Sequence, residues 1–132
     1  MEGIQAAYNS GIKTKINTVL INGQYYKDMF RFARDYNIDV RFIELMPIGM
    51  AKGMNTVSYA EVLDYVDSTY IGWKWDATVH GNGPARYLTI PGFKGAIGLI
   101  SPINDSFCDS CDKLRLTATG MIKPCLCYDK AF

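Results

Sequence analysis

Residues 14–47 have the sequence TKINTVLINGQYYKDMFRFARDYNIDVRFIELMP, and they decide the fold of the first part of the chain. β-Branched residues dominate 14–21 and an Asn-Gly pair closes the run, so we predict a strand there. Over 25–36 the apolar residues recur at i, i+3, i+4 and i+7, which is the spacing of one helix face. A second strand is predicted at 38–46, ending before a proline. Strand, helix and strand in this order are typical of an α/β protein with parallel strands.

The flanking segments extend this pattern in both directions. Upstream, apolar residues at helical spacing before Gly11 predict a helix. Downstream, 48–57 has no periodicity and is predicted as a loop, and Ser58-Tyr59-Ala60-Glu61 is a capping box that opens a helix to about Thr69. Four short strands joined by glycine turns are predicted after that, at 86–90, 96–100, 114–118 and 121–126. The predicted fold class is therefore α/β in the first half, followed by an antiparallel β segment.

Composition and charge exclude several classes of protein. The chain has 132 residues, of which 48% are apolar and 20% charged, so it is not a disordered tail. Fourteen basic against thirteen acidic residues give a net charge of +1, too small an excess for a general nucleic-acid binder. No apolar run approaches the roughly eighteen residues of a membrane span. The N-terminus has no signal-peptide pattern, so the predicted location is the cytoplasm.

The four cysteines lie together near the C-terminal end, as Cys108, Cys111, Cys125 and Cys127. Their spacing is Cys-x2-Cys, thirteen residues, Cys, one residue, Cys. Four thiolates could hold a structural zinc ion, as in zinc ribbons. Three thiolates could instead hold a [4Fe–4S] cluster with one iron left open. Ligand type does not decide between the two, because thiolates suit both metals.

Five ordered segments identify a family resemblance. They are KINTV (15–19), RFIELMP (41–47), GPARY (83–87), GAIGLISP (95–102), and the stretch from Phe107-Cys108-x-x-Cys111 through LRLT (114–117) to PCL (124–126). Together they resemble the GTP 3′,8-cyclase family, the radical S-adenosylmethionine enzymes that open molybdenum-cofactor biosynthesis.

The resemblance implies a fold and a metal. It implies that residues 1–47 are the last strands and helices of a partial TIM-type barrel, and that 48–132 are the cofactor-synthesis C-terminal domain, incomplete at its end. It places the three ligands of a [4Fe–4S] cluster on Cys108, Cys111 and Cys125, and leaves Cys127 outside the cluster. The alternative is a zinc-stabilised four-cysteine interaction module without enzymatic activity.

The resemblance also implies ligand contacts. Lys15 and Arg41 match positions that contact GTP, and Lys113 and Arg115 alternate with leucines, so they would present two cations on one face of a strand to the triphosphate. Met46 matches a position that touches S-adenosylmethionine in the intact enzyme.

Three departures from the family pattern carry further expectations. No Cys-x3-Cys-x2-Cys motif is present, so we expect the chain alone not to convert GTP to 3′,8-cyclo-7,8-dihydro-GTP. The family sequence Asn-Arg-Leu-Arg is here Asp112-Lys113-Leu114-Arg115, which adds a negative charge and loses an arginine fork. A truncated barrel exposes a strand edge, so a homodimer or other self-association through that edge is predicted.

His80 is interpreted as a loop histidine without a partner, and Trp73 and Trp75 as cover for the core.

Overall fold

The computed structural model describes residues 2–21, 25–78, 80, 83–102 and 113–125. The helices are α1 (Glu2–Asn9), α2 (Tyr26–Asp35) and α3 (Tyr59–Thr69), with one turn of 3-10 helix at Gly49–Ala51. The strands are β1 (Lys15–Leu20), β2 (Asp39–Glu44), β3 (Lys74–Asp76), β4 (Arg86–Thr89), β5 (Ile97–Ile100), β6 (Arg115–Leu116) and β7 (Ile122–Lys123). None of the helices in the described ranges is long and apolar enough to cross a membrane.

Five strands form one mixed sheet in the order β1-β2-β5-β4-β3. β1, β2 and β5 run parallel, whereas β4 and β3 are antiparallel to their neighbours. The sheet is open, and within the described residues β1 and β3 are its edges. β6 and β7 form a separate antiparallel hairpin.

One face of the sheet carries the hydrophobic core. Val40 and Phe42 of β2 lie opposite Ile97 and Leu99 of β5, and all four side chains are buried. The stripe of α2 covers them, and Phe30 stacks on Phe42 with ring centroids 5.2 Å apart. Val62 and Val66 of α3, both fully buried, extend the same cluster. These buried contacts confirm the predicted stripe of α2 and the predicted amphipathic α3.

The start of α3 is attached to the sheet by a buried carboxylate. The capping box is present: Glu61 N–H donates to the Ser58 hydroxyl, and the Glu61 carboxylate accepts from Ser58 N–H. Glu44, at the end of β2, accepts from Tyr59 N–H at 3.0 Å and from the Ser101 hydroxyl at 2.5 Å. A carboxylate at a helix N-terminus is favoured by the exposed N–H groups and the helix dipole. Glu44 therefore joins β2, α3 and the end of β5.

The second half of the chain differs from its prediction in two respects, since β3 was not among the predicted strands and β5 pairs differently. Strand β5 was expected in an antiparallel segment, but it pairs parallel with β2, and β4 and β3 continue the same sheet. Only the β6–β7 hairpin is a separate antiparallel unit. Long-range pairing of this kind depends on which edge of β2 is open and is not encoded in local sequence. The sheet includes strands from both sides of residue 47, and the domain boundary predicted there stays a prediction.

Candidate functional site

The face of the sheet opposite the core carries a group of polar side chains, and in the described residues no helix lies over it. Alternation along the strands places Lys15 beside Asp39 and Asn17 beside Arg41 on this face. The row at Arg41 continues through Gly98 of β5, Tyr87 of β4 and Asp76 of β3, each paired directly with the next. The term "open face" refers below to these side chains, together with His80, which packs against them.

Gly98 provides the space for this row. A Cβ atom at Gly98 would lie 2.9 Å from Cγ of Arg41 and 2.9 Å from Cε1 of Tyr87. Glycine within a strand marks a close approach of neighbouring groups. The side chains of Arg41 and Tyr87 therefore lie across the glycine and approach each other over the middle of the sheet.

Arg41 is oriented by Asn17. Its Nε donates to the Asn17 side-chain oxygen at 2.7 Å. Nη1 lies beside Gly83. Among the described residues none accepts a hydrogen bond from the two terminal nitrogens, so in that part of the chain nothing competes with an anionic ligand for the planar end of the guanidinium. The sequence placed a cation here, and the structure adds Asn17 as the group that holds it.

Lys15 makes a denser set of contacts. Its Nζ lies 3.5 Å from Oδ2 of Asp39 and donates to the Tyr87 hydroxyl at 3.3 Å and to the main-chain oxygen of His80. The same ammonium is 5.2 Å from the centroid of the Tyr87 ring, within the range of a cation–π interaction. Lys15 is thus held at the start of β1 by groups from β2, β4 and the segment between β3 and β4.

His80 lies at the centre of these contacts, so the interpretation of it as a histidine without a partner is wrong. Its Nε2 is 2.7 Å from Oδ2 of Asp76, and its Nδ1 is 3.5 Å from Oδ2 of Asp39. The imidazole stacks on the Tyr87 ring with centroids 4.0 Å apart. The i, i+4 spacing from Asp76 was a possible signal in the sequence, but the contact with Asp39 spans 41 residues.

Asp76 is fixed as an anion. The N–H of Thr78, the His80 imidazole and the Thr78 hydroxyl all bond its carboxylate, and they lower the pKa of Asp76 from 3.8 to about 2. Asp76 and Asp39 contact opposite nitrogens of the imidazole, so the two carboxylates cannot share one ion with His80. The arrangement suits fixing a histidine in place and does not suit binding a metal.

The hairpin carries the other predicted cations. Arg115 lies in β6 and pairs directly with Lys123 of β7, and Lys113 is two residues before Arg115. The sequence reading missed Lys123, although period-two alternation in the second strand places it on the face of Arg115. The four predicted GTP-contacting residues are therefore divided, with Lys15 and Arg41 on the open face and Lys113 and Arg115 at the hairpin.

The cysteine prediction falls largely outside the described residues. Cys108, Cys111 and Cys127 are not described, nor is Asp112, whereas Cys125 follows β7 and is half-buried. Where the structure describes the chain, no three His, Cys, Asp or Glu side chains are grouped as a metal site requires. Three thiolates suit a [4Fe–4S] cluster by their chemistry. Met46 lies just beyond β2, half-buried, and its carbonyl accepts from Ile48 N–H at 2.8 Å.

The tryptophan prediction holds for one ring. Trp73 packs against the core and donates from Nε1 to Asp67 at 2.7 Å. Trp75 is 40% exposed, and the guanidinium of Arg86 lies 4.4 Å from its ring centroid. The prediction that Trp75 covers the core is therefore wrong.

Comparison with known protein families shows which family the chain belongs to. The family model described as Molybdenum Cofactor Synthesis C matches residues 38–132, which is more than half of the chain. The chain belongs to this family. The match begins just before β2 and includes the hairpin and all four cysteines.

Three curated relatives share the name GTP 3′,8-cyclase. A GTP 3′,8-cyclase of Listeria welshimeri is 41% identical over 98% of this chain, and one of Clostridium perfringens is 40% identical over 93% of it. A third, of Alkaliphilus metalliredigens, is 42% identical over 96%. The chain spans only about two fifths of the length of these relatives (41%, 39% and 40%). The family resemblance found in the sequence is confirmed, and the relatives are enzymes by name.

Proposed function

We propose that this chain supplies the GTP-binding part of a GTP 3′,8-cyclase. The observation that carries the proposal is the open face, where Lys15 and Arg41 stand on adjacent parallel strands in a chain whose relatives bear that name. Arg41 has its terminal nitrogens available, which suits a bidentate contact with a phosphate or a purine edge. The hairpin would add Lys113, Arg115 and Lys123 as further cations for the triphosphate.

The chain's role in this reaction is to bind and orient the substrate. Rigid placement of the ribose and base relative to the reactive centre is a large part of the rate enhancement in such enzymes. Binding S-adenosylmethionine is proposed only for the longer enzyme, with Met46 as one contact. Without the Cys-x3-Cys-x2-Cys motif, conversion of GTP by this chain alone is not expected.

Cys108, Cys111 and Cys125 are the residues that would hold the [4Fe–4S] cluster. Bound by three thiolates, such a cluster supplies one iron with an open coordination position for an exogenous ligand such as the guanine base. Cys125 follows β7, two residues after Lys123, and this supports the proposal, because a base at the cluster would then have its phosphates near the hairpin cations. A cytoplasmic location is part of the proposal, because that compartment keeps thiols reduced.

Self-association is the remaining element of the proposal. β1 is an edge strand, and Val19 and Ile21 at its end are each 44% exposed. An unpaired edge with apolar side chains favours pairing with another chain. Sedimentation over a concentration range tests this, and a monomer at all concentrations would contradict it.

GTP binding is tested by calorimetry on the wild-type chain and on single variants. Arg41→Ala should weaken binding by about tenfold to a hundredfold, as expected for loss of a charge-assisted bidentate contact. Arg34→Ala is the matched control, since that arginine is exposed on α2 and, among the described residues, pairs with its neighbour Asp35. Equal binding by both variants would contradict the assignment of the open face.

The metal is tested by anaerobic reconstitution with iron and sulfide. We expect about four irons per chain, lost in Cys108→Ser, Cys111→Ser and Cys125→Ser but retained in Cys127→Ser. Binding of about one zinc ion that depends on all four cysteines would favour the interaction module instead.

A further inference from the structure

The described contacts engage the Lys15 ammonium from three sides. It donates hydrogen bonds to the Tyr87 hydroxyl and to the His80 carbonyl, and it forms an ion pair with the carboxylate of Asp39 at 3.5 Å. The side chain is also only 18% exposed. A ligand oxygen that binds Lys15 therefore competes with these three groups.

The three acceptors differ in how firmly they are held. Asp39 is fixed through its other oxygen, Oδ1, which accepts from Ala96 N–H at 3.1 Å. His80 is held by Asp76 and by stacking on Tyr87, so its carbonyl is held with the ring. The Tyr87 hydroxyl is neutral, and its 3.3 Å contact with Nζ is long for a hydrogen bond. It is the acceptor that costs least to replace.

We infer that His80 and Tyr87 are positioning residues for Lys15 and act in different ways. His80, clamped by Asp76, holds the ammonium at the place on the open face where the ligand arrives. The Tyr87 hydroxyl accepts from the Lys15 ammonium until an anionic oxygen of the ligand replaces it. The ligand class is a phosphate ester such as GTP, and in this respect the inference rests on the proposed function.

Charge explains why the arrangement discriminates among ligands. The carboxylate of Asp39 lies 3.5 Å from the Lys15 ammonium and offsets its charge, so the immediate surroundings have no excess of positive charge. An anionic ligand bound through Lys15 alone therefore gains little electrostatic attraction. A ligand that also reaches the terminal nitrogens of Arg41 gains a second cation that Asn17 holds without neutralising it. The pair therefore favours ligands long enough to span both residues over inorganic phosphate.

The test follows the reactivity of Lys15 toward an acylating reagent, read by mass spectrometry on the whole chain. Exposed Lys13, two residues away, is the internal reference. In the free protein, His80→Ala and Tyr87→Phe should each raise the labelling rate of Lys15 several-fold relative to Lys13. Tyr25→Phe is the matched control and should leave the ratio unchanged, because Tyr25 is 68% exposed and immediately precedes α2.

GTP affinity separates the two roles. His80→Ala keeps the main-chain carbonyl but removes the ring that holds it in place, so Lys15 is less well positioned and GTP binding should weaken by about tenfold. Tyr87→Phe should leave it unchanged, since the ligand displaces the hydroxyl in any case. Inorganic phosphate should bind far more weakly than GTP to the wild type. If Tyr87→Phe weakens GTP binding as much as His80→Ala does, the proposal that a ligand oxygen displaces the Tyr87 hydroxyl from Lys15 is wrong.

Two further outcomes distinguish this inference from the proposed function. The first outcome is that the labelling rate of Lys15 rises in His80→Ala, but added GTP does not slow the labelling of Lys15 in the wild type. In that case His80 does position Lys15, and GTP is the wrong ligand. If labelling of Lys15 does not respond to His80→Ala, the positioning is overturned whatever GTP does. Should His80→Ala melt at a much lower temperature, Asp76→Asn, which weakens the clamp without removing the ring, carries the same expectations.

Discussion

The two faces of the five-stranded sheet are made from alternate residues of the same strands, yet they have opposite characters. On the covered face Val40, Phe42, Ile97 and Leu99 pack under α2 and α3 and are almost fully buried. On the open face, Asp39 and Arg41 of the same β2 strand contact Lys15 and Asn17. The comparison shows that the packed core and the polar contacts of the open face are separated by the two-residue period of a strand. Adjacent residues can therefore be altered to test each face by itself.

The largest effect on stability is expected from Phe42→Ala on the covered face. Phe42 is 1% exposed and stacks on Phe30, so truncation should cost about 3–5 kcal/mol of the free energy of unfolding. Urea denaturation measures it. Arg41→Ala, one residue away on the open face, should cost less than about 1 kcal/mol. Similar losses in the two variants would contradict the separation of the faces.

A smaller loss is expected from Glu44→Ala, which removes the one carboxylate buried on the covered face near α3. Tyr59 N–H and the Ser101 hydroxyl would lose their acceptor, at a cost of about 2–3 kcal/mol for charge-assisted hydrogen bonds at a buried site. Thermal melts monitored by circular dichroism measure the change. Ser58→Ala, which removes only the cap of the same helix, is the comparison and should cost about 1 kcal/mol.

Gly98→Ala tests the open face by adding a methyl group, without altering any charge. The added methyl group would lie 2.9 Å from both Arg41 and Tyr87, so these side chains must move, at a cost of about 1–3 kcal/mol. We expect GTP binding to weaken in the same variant, as followed by calorimetry. Gly3→Ala, where nothing lies within 4 Å, is the control and should not destabilise the chain. Unchanged binding in Gly98→Ala would show that Arg41 and Tyr87 do not form a single site.

The smallest effect is a pH dependence from Asp76. Its pKa is depressed from 3.8 to about 2 in the folded chain, so its contribution to stability is complete above 3.8 and is lost as the pH falls toward 2. Asp76→Asn should flatten that part of the stability profile, measured by thermal melts across this range. Thr78→Ala, which removes one of the three donors, should flatten it in part. An unaltered profile in Asp76→Asn would mean that Asp76 is not held by these bonds.

Much of the secondary structure was predictable, because the signals that specify it are local. The apolar stripe of α2 and the capping box at Ser58 lie within a few residues of sequence, and both are present as predicted. Lys15 and Arg41 were identified through family motifs, and the structure puts them on one face. The parallel pairing of β5 with β2 and the position of Lys123 opposite Arg115 were missed, because both depend on how separate segments meet.

The amino-acid sequence by itself determined the alternation of each strand, the helix boundaries and the family, since these depend on residue order alone. Only the tertiary structure decided that Lys15, Asp39, His80 and Tyr87 would meet. His80 is 65 residues from Lys15 and 41 from Asp39, and no local propensity encodes contacts at such separations. They arise because β4 pairs with β5 and β5 with β2, which brings four distant segments to one side of the sheet. The free energy that holds them there comes from burial on the opposite face.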